Sequence, residues 1–305
     1  MQEIRQTLGP VVGVQGVNGP LLPVSFMQEI CETQDNLRAN IAACLKRDYT
    51  PFTEYLSGAH KRVASLCGSG PSIADTLPQI TGDVFACNAA HDYLLSHGVK
   101  PRYAMLFDAA QMIVKFIEKP QDGVTYLIAS RCHPDVIDHF QGSDCVIWHA
   151  DGDGCTHEEL EKADRPEPVI NGGTAAVTRG LFVLYAMGYR TIHVHGADSS
   201  FRNGETHIRK SLADEQTLRV FCYGRWFETA PWMAVQIEDF KLIAPALRDA
   251  GVRIVVHGTG LLPFVAGILG FEVTDEGIKQ EILNAPETAI SQHLGPDYNS
   301  RQEAA

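Results

Sequence analysis

From Val63 onward, short runs of apolar and β-branched residues alternate with longer stretches whose apolar positions recur every three or four residues. Seven runs read as strands: "RVASLC", "DVFACN", "YAMLFD", "VTYLIAS", "DCVIWHA", "TIHVHGAD" and "VRIVVHG". Between them, "AHDYLLSHG" and "TAAVTRGLFVLYAMG" read as helices, the second closed by Gly188. "WMAVQIEDFKLIAPALRDAG" reads as a further helix, with Pro245 marking a break or a new first turn. Strands that alternate with helices predict an α/β fold: a Rossmann-like, mostly parallel sheet with helices on both faces. Residues 1–58 differ, with a Gly/Pro-containing start and a helical "FMQEICETQDNLRANIAACLKRDY", and are expected to form an N-terminal helical cap or oligomerisation segment that would make the protein a homo-oligomer. Residues 59–270 carry the alternating pattern, and residues 271–305 end in a polar, weakly periodic C-terminal tail.

The 305 residues, 45% of them hydrophobic, suffice for one large core with a smaller appendage. A formal net charge of -12 argues against nucleic acid or an anionic membrane surface as partner. No apolar run approaches the ~20 residues of a membrane span, and the start lacks a basic region followed by an apolar one, so the expected location is cytoplasmic. Eight cysteines are scattered without a CxxC pair, as buried thiols of a reducing compartment would be.

Ligands of open parallel sheets sit at the carboxyl ends of the strands, which selects the candidate chemistry. Gly68, Ser69, Gly70, Pro71 and Ser72 follow the first strand and form either a phosphate cradle or a tight strand-to-helix corner; the turn lacks the Lys of a Walker A loop. Asn88 ends the second strand, where its amide either meets a ribose, base or phosphate or caps the next helix. Asp108 ends the third and suits a ribose hydroxyl, a divalent ion or a structural cap. Asp151 and Asp153 form a D-x-D that reads first as an acidic surface turn and second as a metal site. Asn171, Gly172, Gly173 and Thr174 make a second Gly-rich helix start, and two such starts suit a ligand with several phosphates. Gly196 permits close backbone approach beside Asp198, which is placed to bind Mg²⁺ or orient a hydroxyl, with Arg202, His207 and Arg209 available for phosphate charge. His193 and His195 point the same way from one strand and read as core or pocket-wall histidines, because the sequence shows no third ligand at suitable spacing.

Taken in order, "CGSGPSI", "CNAAHDYLLSHGVKPRYAMLFDA", "INGGTAAVTRGLFVLYAMGYRTIHVHGADSSF" and "ETH" resemble the MptE-like family, whose founding activity is 6-hydroxymethyl-7,8-dihydropterin pyrophosphokinase. The resemblance runs from about Lys61 to Gly260, and its ordered motifs place Gly68, Gly70, Pro71, Ser72, Asn88, Asp108, Gly173, Thr174, Gly196, Asp198, Thr206 and His207 on the family pattern. Arg102 departs from it, standing where the family has Asp after Pro101. The resemblance implies a nucleotide-binding domain over residues 59–270 and a nucleotide-dependent transferase, foremost a diphosphokinase passing the diphosphate of ATP to a hydroxymethyl acceptor. On that reading Asp108 and Asp198 hold Mg²⁺ and act with His207 in catalysis, both Gly-rich turns cradle phosphates, and Trp226, Phe227 or Trp232 covers a flat ring. Motility-associated flagellin glycosyltransferases and sialyltransferases that use CMP-sialic acid share the motif style, so glycosyl transfer from a nucleotide sugar is the alternative. A non-catalytic nucleotide-binding module is the third reading, and Arg102 is its one hint.

Overall fold

The computed structural model describes residues 32–150, 152, 154–207, 217–222 and 225–284, and the backbone of strands at 13–15 and 21–23. Asp151, Asp153 and Arg209 lie outside the described residues. In chain order the strands are β1 (Gly13–Gln15), β2 (Leu21–Pro23), β3 (Thr50–Pro51), β4 (His60–Cys67), β5 (Asp83–Cys87), β6 (Tyr103–Leu106), β7 (Thr125–Ala129), β8 (Asp144–Ala150), β9 (Val169–Ile170), β10 (Tyr189–His195), β11 (Leu218–Cys222), β12 (Arg225–Thr229), β13 (Arg253–Val256) and β14 (Glu272–Val273). The helices are α1 (Gln34–Leu45), α2 (Ile73–Thr76), α3 (Ala90–Ser96), α4 (Pro134–His139), α5 (Thr156–Lys162), α6 (Ala176–Ala186), α7 (Pro231–Asp249), α8 (Leu261–Ile268) and α9 (Glu276–Leu283). All seven runs expected to be strands form them.

Ten strands make one parallel sheet in the order β14-β13-β10-β4-β5-β6-β7-β8-β3, with β9 also on β8. Its strands are near-continuous apolar runs because both faces are covered. Ala64, Leu66, Phe85 and Cys87 belong to the main core, in which Leu181, Leu184 and Phe240 from α6 and α7 also lie. Their strand neighbours Cys67, Val84 and Ala86 join a second cluster with Ile73, Ala90 and Leu94 of α2 and α3. The edge strands β3 and β14 come from the flanks on either side of residues 59–270, and α1 is the helix of the N-terminal flank. A separate antiparallel sheet, β12-β11-β1-β2, joins a hairpin after β10 to the start of the chain. Pro245 neither breaks α7 nor starts a new helix, contrary to expectation: it lies inside a 19-residue helix. A helix-interior proline costs about 3 kcal/mol, and nine buried residues including Ile237, Phe240 and Leu247 hold α7 against the fold. No helix among the described residues is long and apolar enough to cross a membrane.

The chain runs β4 to β8 in one direction and then returns to place β10 on the other side of β4. That reversal is the switch point at which open α/β sheets leave a crevice. There the backbones of β4 and β10 remain paired past their ends: Gly68 N–H donates to His195 O at 2.8 Å and Gly70 N–H to Gly196 O at 2.8 Å. Gly196 has φ +58°, and a Cβ on it would run into the carbonyl oxygen of Gly68. Only glycine meets both conditions.

On the α2 face, three histidines interrupt the apolar pattern. His193 and His195 lie beside Ser65 and Cys67 of β4, and His257 follows β13 next to them, its N–H on Val194 O at 2.9 Å. His257 is the third residue that the sequence did not supply. The His195 ring is fully buried and stacks on that of His257, centroids 4.0 Å apart. Burial, then the neighbouring His257 and His193, push the His195 pKa down to about 3, and burial with His193 pushes His257 down to about 4.

Two predictions follow from these packings. Gly196→Ala combines left-handed strain of about 1–2 kcal/mol with overpacking of about 1–3 kcal/mol, so urea unfolding should show a loss of at least about 2 kcal/mol; a midpoint unchanged from the parent would show that the contact is not constraining. Because His195 and His257 are held below the ordinary imidazole value, the unfolded chain binds their protons first. Their stabilising contribution is therefore complete above about pH 6.5 and is lost as pH falls towards 4 and then 3. Thermal melts across that range should show a multi-degree fall that is blunted in His195→Gln, and an identical slope in the variant would remove the cluster as its cause.

Candidate active site at the sheet switch point

Asp198 stands at the centre of the crevice, three residues past β10 and 5% exposed. Its Oδ2 accepts the Ser72 N–H at 2.9 Å, and its backbone carbonyl accepts the Leu262 N–H at 3.0 Å. Leu261 N–H donates to Ser200 Oγ at 3.1 Å, so residues 198–200 tie the turn after β4 to the start of α8. A Cβ on Gly70 or on Gly260 would overlap Asp198, which shows how closely both loops press on it. Burial raises the Asp198 pKa above the ordinary carboxylate value, and the Ser72 hydrogen bonding opposes that rise.

These contacts revise the expected phosphate cradle. The N–H groups of Gly68, Gly70 and Ser72 are donated within the protein, and α2 behind them is only four residues long. Gly68, Gly70, Pro71 and Ser72 are buried, Ser69 is half-buried, and the turn acts as a clamp on Asp198. The second Gly-rich turn follows the same pattern. Thr174 donates from its N–H at 2.7 Å and its hydroxyl at 2.6 Å to Asp239 Oδ2 on α7, so a carboxylate of the chain occupies the place foreseen for a phosphate. Asn171 accepts the Gly172 N–H at 2.7 Å, and a Cβ on Gly173 would meet Thr178 and Asp239. The two turns do come together, since Val177 in the first turn of α6 packs on Gly68.

Asn88 does not cap α3, because Ala89 occupies the cap position without a side-chain bond. Asn88 has φ +49° and a buried Oδ1 with no partner among the described residues, leaving a polar atom at the strand end for a ligand. Asp108 Oδ1 accepts the Ala110 N–H at 3.0 Å. The strand ends that carry Asp108 and Asp198 lie three strand spacings apart, about 14 Å, whereas two oxygens on one Mg²⁺ are within about 4 Å. The pair therefore does not fit a shared Mg²⁺ ion, and the expected joint metal site is not formed. The His207 ring stacks on Trp232 with centroids 5.5 Å apart and planes 8° apart, and its Nδ1 lies 3.0 Å from Thr206 Oγ1. Arg102 pairs with Asp83 at 3.0 Å at the amino-terminal end of the strands, the edge opposite the crevice.

Beside Asp198 opens a cavity of about 370 Å³. Ser200, Phe201 and Arg202 line it from the loop after β10, Arg219, Arg225, Trp226, Phe227 and Glu228 from the β11–β12 hairpin, and Thr259 and Gly260 from the loop after β13. Arg219 lies over the Trp226 ring at 5.0 Å, and Arg225 over Phe227 at 4.8 Å and within 3.2 Å of Glu281. Arg202 pairs with Asp75. Guanidinium groups backed by aromatic faces suit an anionic ligand that carries a ring. The sequence pointed to Arg202, Trp226 and Phe227 but missed Arg219, Arg225, Asp239 and the loop at Gly260, which join the site only through tertiary pairing.

Among solved structures the chain is similar to the MAf glycosyltransferase from Magnetospirillum magneticum AMB-1, with 16% identity and a TM-score of 0.61 over 90% of this chain and 46% of that one. It thus spans about half the length of that protein, and the likeness is one of fold. A mammalian sialyltransferase aligns with 10% identity and a TM-score of 0.37 over 75% of this chain and 80% of that one. No curated protein matches the sequence. The pattern of the family described as 6-hydroxymethylpterin diphosphokinase MptE-like matches residues 35–204, which hold the 68–72 turn, Asn88, Asp108, the 171–174 turn, Gly196 and Asp198. With more than half of its length matched, the chain belongs to the MptE-like family.

Proposed function

We propose that this chain is a nucleotide-dependent transferase that holds the phosphates of its donor in the cavity beside Asp198. The observation that carries the reading is the composition of that cavity: the buried carboxylate of Asp198 lines it together with Arg202, Arg219, Arg225 and Glu228, with Trp226 on the Arg219 face of the hairpin and Phe227 on the Arg225 face. The arginines would neutralise charge on a phosphate leaving group, and the half-buried Trp226 ring would stack on a nucleobase or a flat acceptor. Asp198, with its proton affinity raised by burial, is the group suited to receive the proton of an acceptor hydroxyl.

Family membership favours diphosphate transfer from ATP. In that reaction the hydroxymethyl oxygen of the acceptor attacks the β-phosphorus while its proton passes to Asp198. The new O–P bond forms as the bond from the β-phosphorus to the oxygen bridging it to the α-phosphorus breaks, and AMP leaves with that electron pair. Because Asp108 and Asp198 do not form a shared Mg²⁺ site, charge neutralisation by the protein falls to the arginines. The same separation favours a second reading, glycosyl transfer, in which the acceptor oxygen attacks the anomeric carbon of a nucleotide sugar and the nucleotide departs against the same arginines. Arg102, the one hint of a non-catalytic module, pairs with Asp83 on the far edge of the sheet, which supports the catalytic reading.

Thermal shift with ATP, CMP and UDP-sugars, followed by product assays with hydroxymethylpterin and sugar acceptors, tests the reading. A several-degree rise with one nucleotide class is expected through binding linkage, reduced when Arg219 and Arg225 are both changed to Ala; no response to any nucleotide would overturn it. Formation of AMP with the pterin identifies the first reaction, and release of a nucleotide from a sugar donor the second. Asp198→Asn keeps an acceptor for the Ser72 N–H, so its melting temperature should stay near the parent while turnover drops at least about 100-fold. In the parent enzyme, kcat/KM should fall as acid protonates Asp198, on a limb displaced above the ordinary carboxylate range because burial raises that pKa. Full activity in Asp198→Asn would take the proton-accepting role from this residue.

A further inference from the structure

The three histidines on the α2 face have a hydrogen-bond pattern that a satisfied core does not have. His195 is 0% exposed, and neither of its ring nitrogens has a hydrogen-bond partner among the described residues. A neutral imidazole carries one N–H and one lone pair, so this ring buries a donor and an acceptor and uses neither. One nitrogen from each of His193, His195 and His257 lies within 4.8 Å of the others. Their protonation pattern follows from the neighbours. The Gln79 Oε1 accepts only, and at 2.7 Å from His257 Nδ1 it fixes the proton on that nitrogen. His257 Nε2 therefore presents a lone pair, towards which His193 Nδ1 points from 2.9 Å. A metal-bound histidine commonly shows this arrangement: one nitrogen faces the ion and the other is held by an amide or carboxylate behind it. Thr274 Oγ1, 3.2 Å from the same Nδ1, adds a second polar neighbour.

We propose that His193, His195 and His257 bind a divalent transition-metal ion of the zinc class. Three neutral imidazoles leave a fourth position open, and imidazole sets favour zinc, copper, nickel or iron over Mg²⁺ or Ca²⁺. The His193 side is half-buried while the other two rings are closed off, so the ion enters past His193. On binding, the His193 proton moves from Nδ1 to Nε2, a change of tautomer with no net proton released. The role is structural. His195 immediately precedes Gly196, and His257 precedes the loop of Gly258, Thr259 and Gly260, so the ion cross-links the two strand ends whose loops enclose Asp198 and the cavity.

Untagged protein, dialysed against a chelator, is titrated with Zn²⁺ and with Co²⁺ while stoichiometry, melting temperature and visible absorption are followed. One ion per chain is expected, with a melting temperature raised by several degrees and Co²⁺ absorption bands of tetrahedral intensity. His257→Gln should weaken binding at least about 100-fold, and Gln79→Leu, which removes the partner behind His257, by about tenfold. Should His257→Gln fail to fold by circular dichroism, the half-exposed His193→Gln provides the same comparison and should abolish the Co²⁺ bands. Binding below one ion per chain, or affinity unchanged in the folded histidine variant, overturns the site. Both results are independent of nucleotide binding and of turnover.

Discussion

The buried carboxylate of Asp198 sets the terms for the rest of the crevice. Removing such a group from water costs several kcal/mol, and the Ser72 N–H returns about 1.5–3 kcal/mol as a hydrogen bond to a charged acceptor. The remainder of the cost holds its proton affinity above that of an ordinary carboxylate. The loops around it are shaped by the same burial. The turn after β4 has to bring an N–H to the carboxylate, the β10 backbone has to kink at Gly196 to deliver it, and the loop before α8 has to pass directly over it. Three strand ends are thus fixed by one side chain and its backbone.

Much of this was legible in the sequence because it is local. Seven apolar runs gave seven strands, and the strand-end rule selected Gly68, Asn88, Asp108, Gly196 and Asp198 before any geometry was known. What the sequence did not carry is pairing between distant segments. Asp239 lies 65 residues after Thr174 on an ordinary amphipathic helix, and nothing in its neighbourhood marks it as the partner of a Gly-rich turn. His257 becomes a companion of His195 only because β13 lies beside β10. β1 and β2, of three residues each, and the two-residue strands β3 and β14 are too short to show a period, so the edges of the parallel sheet and the first half of the antiparallel sheet had no signature.

The carboxylates at the two Gly-rich turns also explain why motif reading leads too readily to phosphate. Glycines are needed wherever a backbone must approach another group closely, and an internal carboxylate satisfies a helix start as well as an external anion does. At residues 68–72 and 171–174 the anion is supplied by the fold itself. The cationic side chains of the cavity come instead from Arg202 and from Arg219 and Arg225 of a hairpin outside those turns.

That hairpin divides the crevice into two halves drawn from different parts of the chain. Asp198 and the turns that clamp it fall inside the 35–204 segment by which the family is recognised, whereas Arg219, Arg225, Trp226, Phe227, Thr259 and Gly260 lie beyond it. β11 is in turn braced by β1 from the opposite end of the chain. The wall facing Asp198 is thus built by a part of the chain that the family pattern does not describe, so membership of the family leaves the chemistry of that wall unspecified.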